Sequence, residues 1–247
     1  MRYAAWAPWY ERLRTEFGFP WSREEGAARR LVELLPPAAR ARALERVAER
    51  LRGRDTIVVG DAPGVDPPPL WRLPATEPEP ALVAADGATA ALVRAGLVPS
   101  VITTDLDGSV PAEISANRHG SLVVVHAHGD NVPALEEWVP AFDGALAGSW
   151  AGPPREGLLD VGGFTDGDRA AYLADEVGAR RILLWGFAFD RVVEADPARA
   201  ARKLAKLRWA NALLAVLARD GTTPVLLWGS DGSMVPYPAG TAGPTTR

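Results

Sequence analysis

The sequence predicts an α/β protein, with a largely parallel sheet flanked by helices on both faces and an N-terminal helical extension. Three observations point there. Short apolar runs at 56–60, 81–87, 100–108, 121–130, 181–190 and 223–232 are continuous rather than alternating, as strands buried on both faces are. Helical stretches at 88–95, 132–139, 166–177 and 197–219 lie between several of them, and that alternation builds a parallel sheet. Each run also closes on polar or glycine residues, and such sheets bind ligands beyond the carboxyl ends of their strands.

In chain order, residues 1–53 form an N-terminal helical subdomain. Ser22 and Glu25 have capping-box spacing before "GAARRLVELL", Pro36-Pro37 breaks that helix, and "AARARALERVAERL" restarts it. Leu44, Val47 and Leu51 share one face of the second helix, and Gly53 stops it. Residues 54–247 form the α/β domain and carry the candidate site, ending in an irregular tail from "GSDGSMVPYPAG" onward. The Pro-rich "PPPLWRLPATEPEP" at 67–80 reads as an extended surface loop. Trp185 and Trp228 fall in strands as core residues, and Trp6, Trp9 and Trp21 pack the N-terminal helices.

Composition bounds the function. A chain of 247 residues that is 47% hydrophobic can bury one large core. A net charge of -4 argues against nucleic acid, which needs a basic stripe. No apolar run approaches the ~18–20 residues of a membrane span, and the N-terminus lacks a secretory apolar stretch. The absence of cysteine removes disulfides, thiolate metal sites and a cysteine nucleophile, and fits a cytoplasmic protein. Lysine occurs only at 203 and 206 and histidine only at 119, 126 and 128, so their placement draws attention.

Asp105 and Asp107, in "TTDLDG", would share one face of a continuing strand. Two carboxylates there repel unless a cation holds them, and oxygen ligands suit Mg²⁺. The competing reading is a solvated acidic turn with Asp107-Gly108 at its corner. Asp86, in "VAADG", repeats the strand–Asp–Gly pattern and equally suits a helix cap. "VHAHGDN" places His126, His128 and Asp130 at a strand end. It reads as a zinc site lacking a further ligand, or as a metal-ligating Asp130 beside histidines that contact phosphate or position a nucleophile. In "GGFTDGDRA", Thr165 and Asp168 have near-capping spacing, while Asp166, Asp168 and Arg169 cluster behind Gly162 and Gly163, which would admit a ligand close to the backbone. Lys203 and Lys206 share a helix face, either as surface charges or as phosphate binders. "VVGDAPGVD" is neither a P-loop nor a dinucleotide fingerprint, but its backbone at Gly60 could face a phosphate.

Together, "ADGATAALVRAGLVPSVITTDLDG", "VVHAHGDN", "GGFTDGDRAAYLADEVGA" and the late "KLAKL" resemble the archaeal 6-hydroxymethyl-7,8-dihydropterin pyrophosphokinase family over about residues 55–217, as does the opening "WYERLRTEFGF". "HAHGDN" with "GFTDGDRA" is the specific part; "ADG" with "DLDG" is shared in outline with thiamine pyrophosphokinases. The resemblance implies Mg²⁺-dependent transfer of diphosphate from ATP, the co-substrate, to a pterin hydroxymethyl group, with AMP released, in synthesis of a tetrahydromethanopterin- or folate-type carrier. It implies one or two Mg²⁺ held by Asp105, Asp107, Asp86 and Asp130. Lys203, Lys206, Arg169, Gly60 and Thr104 would contact ATP phosphates. His126, His128 and Asp130 would serve catalysis, and Asp166, Asp168 and Thr165 the pterin. The thiamine enzymes carry a lysine where this chain has H-x-H, so the histidine roles follow from the pterin family alone. "GDAPGVD" departs from that family's "GxGPSL" by lacking a serine after the proline.

The rivals are a thiamine pyrophosphokinase, a sugar-nucleotide glycosyltransferase using D-x-D through a divalent metal, and a non-catalytic nucleotide-binding module. All take small molecules and need neither nucleic acid nor membrane; assembly into a homo-oligomer stays open.

Overall fold

A computed structural model describes residues 3–239. Four helices come first: α1 (Tyr3–Phe17), α2 (Trp21–Leu34), the short α3 (Pro37–Arg40) and α4 (Ala43–Leu51). Then follow β1 (Asp55–Val59), β2 (Ala81–Ala85), α5 (Ala88–Arg94), β3 (Val101–Thr104), α6 (Val110–Arg118), β4 (Leu122–Ala127), α7 (Val132–Trp138), β5 (Leu146–Trp150) and β6 (Leu158–Leu159). The chain ends with α8 (Asp166–Glu176), β7 (Arg181–Trp185), α9 (Pro197–Asp220), β8 (Val225–Trp228) and β9 (Met234–Pro236).

The sheet runs β6-β5-β4-β3-β2-β1-β7-β8-β9, parallel throughout except for the antiparallel β9. The predicted α/β architecture is therefore present. Successive strand residues point to opposite faces, which builds two cores. Val58, Val83 and Val124 face α1, α4, α8 and α9, while Ile57, Leu82, Val123 and Val125 face α2, α5 and α7. Trp6, Leu13, Val47 and Leu51 from the N-terminal helices join the first core, and Leu31 joins the second. Among the described residues, the N-terminal helices thus share both cores with the sheet.

Some local expectations change. Helix α2 starts at Trp21 after Pro20 with no side-chain cap, so Ser22 lies inside the helix rather than at its cap. On α4 the buried face is Ala43, Val47, Ala48 and Leu51, and Leu44 is exposed. Strands β5, β6 and β9 and helix α6 went unpredicted. Strand β5 carries Gly148 and Ser149, β6 is only two residues long, and β9 sits in the stretch read as irregular tail. Residues 240–247 of that tail lie outside the described ones. Trp185 and Trp228 are buried and meet edge to face at 5.1 Å. No helix among the described residues is long and apolar enough to cross a membrane.

The strand order reverses direction at β1. Chain from β1 proceeds to β2 on one side, whereas β7 lies on the other. A crevice at such a switch point is the expected ligand position.

Candidate active site

A cavity of about 600 Å³ opens there. The turns after β1, β2, β3 and β7 line it, together with the start of α8 and one face of α9. Among its lining residues Asp61, Asp86, Asp107 and Asp166 are acidic and Arg191, Lys203 and Lys206 basic. Carboxylates thus outnumber cations in the space meant for a ligand.

Asp86, Asp105 and Asp107 converge, each offering an oxygen within 4.8 Å of the others. The convergence does not come from strand alternation, because β3 ends at Thr104. Leu106 takes a left-handed backbone (φ 69°) and buries its side chain in the second core. The turn around that anchor brings both aspartates to one place. Thr104 stabilises it: its hydroxyl accepts from the Leu106 N–H at 2.9 Å and donates to Asp86 Oδ1 at 3.2 Å. Buried and used in both directions, Thr104 shapes the site and is not aimed at a phosphate. Asp86 is itself left-handed (φ 36°). A Cβ at Gly108 would stand 2.3 Å from Asp86 Oδ1, so only glycine lets the two turns approach this closely.

The electrostatics separate these carboxyls. Burial raises Asp86 strongly, with Glu113 and Asp107 beside it adding to the effect, which favours its protonated form. Burial also pushes Asp105 upward, but the adjacent His128 ring, with Asp107 and Lys206, outweighs that and lowers it. His128 Nε2 lies 3.3 Å from Asp105 Oδ2. The other Asp105 oxygen is buried with no partner. Such an atom is costly to leave unmade and suits a cation.

The histidine segment separates into different roles. His126 is buried, with Nδ1 3.1 Å from Ser149 Oγ, and burial lowers its pKa well below the ordinary range. It is buried at the end of β4 and is not among the residues that line the cavity. His128 Nδ1 accepts from the Asp130 N–H at 3.3 Å while Nε2 faces Asp105, so both ring nitrogens are engaged. The Asp130 side chain turns outward to Arg23 at 3.8 Å, away from the three-carboxylate cluster. Asn131 ties the segment down. Its amide donates to the carbonyls of Asp105 (2.9 Å) and His126 (2.8 Å), and its oxygen accepts from the His128 N–H (3.0 Å).

At α8 the capping reading prevails for two residues. Asp168 is fully buried and accepts from the N–H groups of Phe164 (2.7 Å) and Thr165 (2.8 Å) and from the Thr165 hydroxyl. Both Asp168 oxygens are thus used within the turn, while Thr165 lines the cavity with its hydroxyl donating to Asp168. Arg169 is buried and donates to the carbonyls of Gly163 (3.2 Å) and Phe164 (3.1 Å), so it braces the turn instead of reaching a triphosphate. Gly163 (φ 105°) is small because Arg169's backbone lies against it, a Cβ there meeting Cα at 2.5 Å, and not to admit a ligand. Asp166 does line the cavity, half-buried and held up by burial and the Asp105 charge. Gly60 lines it too, but its N–H is taken by the Trp185 carbonyl at 2.8 Å.

On α9 both lysines face the cavity. Lys203 pairs with Glu194 at 3.3 Å; Lys206 makes no ion pair among the described residues and lies 6.0 Å from the Phe164 ring centre. The structure adds groups the sequence did not mark. Asp61 lines the cavity and is raised by burial, with Arg94 opposing. Phe187 and Phe189 form an aromatic wall with ring centres 5.9 Å apart. The sequence had them on a strand, but β7 stops at Trp185 and Gly186 (φ 72°) turns the chain. An F-x-F just past a strand-ending glycine was the available signal.

Acidic turns at the carboxyl ends of a parallel sheet, facing lysines across a cavity at the switch point, define an α/β enzyme cleft built for a charged small ligand. Comparison with known proteins narrows the class. Residues 29–192 match the family model "6-hydroxymethylpterin diphosphokinase MptE-like". The chain is 37% identical to the 6-hydroxymethyl-7,8-dihydropterin pyrophosphokinase of Methanothermobacter thermautotrophicus, over 92% of this chain and 100% of that one. It is 36% identical to the protein of the same name from Pyrococcus furiosus, over 92% and 98%. Among solved structures, the MAf glycosyltransferase from Magnetospirillum magneticum AMB-1 aligns with 86% of this chain and 32% of its own, at 16% identity and a TM-score of 0.35. The chain belongs to the 6-hydroxymethylpterin diphosphokinase MptE-like family.

Proposed function

We propose that this protein transfers the β,γ-diphosphoryl group of ATP to the hydroxymethyl oxygen of 6-hydroxymethyl-7,8-dihydropterin and releases AMP. The product would serve synthesis of a tetrahydromethanopterin- or folate-type one-carbon carrier in the cytoplasm. The observation that carries the reading is the convergence of Asp86, Asp105 and Asp107 opposite Lys203 and Lys206 across one cavity, in a chain of this family. The hydroxymethyl oxygen gives up its proton to solvent and bonds to the β-phosphorus, the bond from that phosphorus to the α-phosphate oxygen breaks, and the electron pair leaves on AMP.

Such a transfer asks mainly for positioning and charge neutralisation. Asp86, Asp105 and Asp107 would hold Mg²⁺, and the unpartnered buried oxygen of Asp105 supports the fit. When bound, Mg²⁺ offsets the charge of the phosphate oxygens. His128 fixes the Asp105 carboxylate from the far side. Lys206 and Lys203 meet the polyphosphate, Lys206 without first giving up a carboxylate. Phe187 and Phe189 offer a face to a planar heterocycle. Asp166 and Asp61, at the cavity wall, suit the paired N–H donors of such a ring.

The test incubates the protein with ATP, Mg²⁺ and either the reduced hydroxymethylpterin or thiamine, and measures AMP. AMP should appear with the pterin alone. Turnover with thiamine would move the acceptor, and AMP with neither would sink the reading.

A further inference from the structure

Beneath the three aspartates lies a fourth carboxylate that the scheme above does not use. Glu113, in the first turn of α6, is completely buried. It stands beside Asp86 and Thr104 and within the field of Asp105 and Asp107. No N–H and no hydroxyl donates to either of its oxygens, and the nearest polar group is the carboxyl of Asp86. Thr104 cannot supply a donor, because its single hydroxyl proton goes to Asp86 Oδ1. The contrast with Asn117, one helical turn on, is instructive. That buried amide donates to the carbonyls of Ser121 and Ala145 and accepts from the Gly144 N–H. The fold satisfies the buried polar group that serves structure and gives Glu113 only another carboxyl for company. A buried carboxylate without donors weakens a fold, and an apolar or amide side chain of similar size would serve packing better. A cation bound by the neighbouring aspartates would supply the positive charge that the protein itself does not set beside it.

We propose that Glu113 is a positioning residue of the divalent-cation site, set behind Asp86, where its charge makes a fourth carboxylate that helps retain the cation. The inference rests on the cation reading given above. Groups behind metal ligands commonly change affinity ten- to a hundredfold when removed, about the range expected here.

The experiment uses the full chain and Mn²⁺ as probe, following free Mn²⁺ by electron paramagnetic resonance, with melting curves recorded with and without the ion. Wild type should bind. Glu113→Gln should bind at least about tenfold more weakly, while melting no lower than wild type in the absence of metal. Glu113→Met, which also removes the charge, should behave alike. A purely structural residue would give the reverse, with lowered melting and intact affinity. Unchanged Mn²⁺ affinity in Glu113→Gln overturns the proposal, as does metal-free melting of both variants well below wild type. If wild type itself takes up no Mn²⁺, the cation reading fails with it, a distinguishable result.

Discussion

Asn131 offers the sharpest test of how the site is assembled. It occupies the N-cap position of α7, yet its side chain does not cap that helix. It bridges the turn after β3 to the segment after β4 through three hydrogen bonds of 2.8–3.0 Å. Asn131→Ala removes all three and leaves two carbonyls and one N–H without those partners. At about 1 kcal/mol net each, the loss is about 3 kcal/mol, and more if water cannot enter. For a chain of this size 1 kcal/mol moves the melting midpoint by about 2–4 °C, so a fall of about 6–12 °C is expected. Asn131→Asp should do worse. It keeps the acceptor for His128 but sets carboxylate oxygens against the Asp105 and His126 carbonyls. Urea and thermal denaturation would measure both, and Mn²⁺ binding would report whether Asp105 stays in place. An Asn131→Ala protein that melts within about 2 °C of wild type would refute the bridging role.

Three further outcomes are expected. Lys206→Met should raise the KM for ATP by about tenfold or more, and Lys203→Met by less, because Glu194 already holds Lys203; steady-state kinetics on both variants check the ranking. Without divalent cation, stability should fall as pH rises above the ordinary carboxyl value of about 4, because burial makes Asp86, Glu113 and Asp166 keep protons that the unfolded chain sheds there. Melting in EDTA across that range, repeated with excess Mg²⁺, should show the slope flattened by the ion; a melting point that climbs toward neutral pH in EDTA would contradict it. Asp130→Asn should leave AMP release close to wild type, since its side chain faces Arg23, whereas Asp107→Asn should reduce it by about a hundredfold or more; equal losses would return Asp130 to the site.

The strand runs and their polar ends were legible because continuous apolar stretches have few other uses, and the acidic pair stood out at one such end. What stayed hidden depended on the third dimension. Nothing in "TTDLDG" announces that Leu106 turns left-handed and buries itself, so that a turn and not strand pleating joins Asp105 to Asp107. Nothing in "VPAEIS" distinguishes Glu113 from a solvated helix carboxylate until α6 is packed beside β3 and β4. The capping spacing of Thr165 and Asp168 was readable, and it accounts for Asp168 more fully than any ligand does. His126 and His128 alternate on one short segment, so pleating predicts one face for both. The strand ends at Ala127, and the chain then bends His128 toward Asp105 and leaves His126 inside.

The N-terminal helices bear on the site through a buried carboxylate of their own. Glu24 on α2 accepts from the Tyr10 hydroxyl at 2.8 Å and from the Gly129 N–H at 2.9 Å. Gly129 follows His128 directly, so this bond fixes the backbone from which the Asp105 partner projects. Glu24 and Glu113 are thus both buried glutamates near the cleft with opposite local environments. Glu24 is given two donors and locks a loop, whereas Glu113 is given no N–H or hydroxyl and faces another carboxyl. The difference locates where an incoming positive charge is expected, on the Asp86 side of the cleft, away from the N-terminal helices.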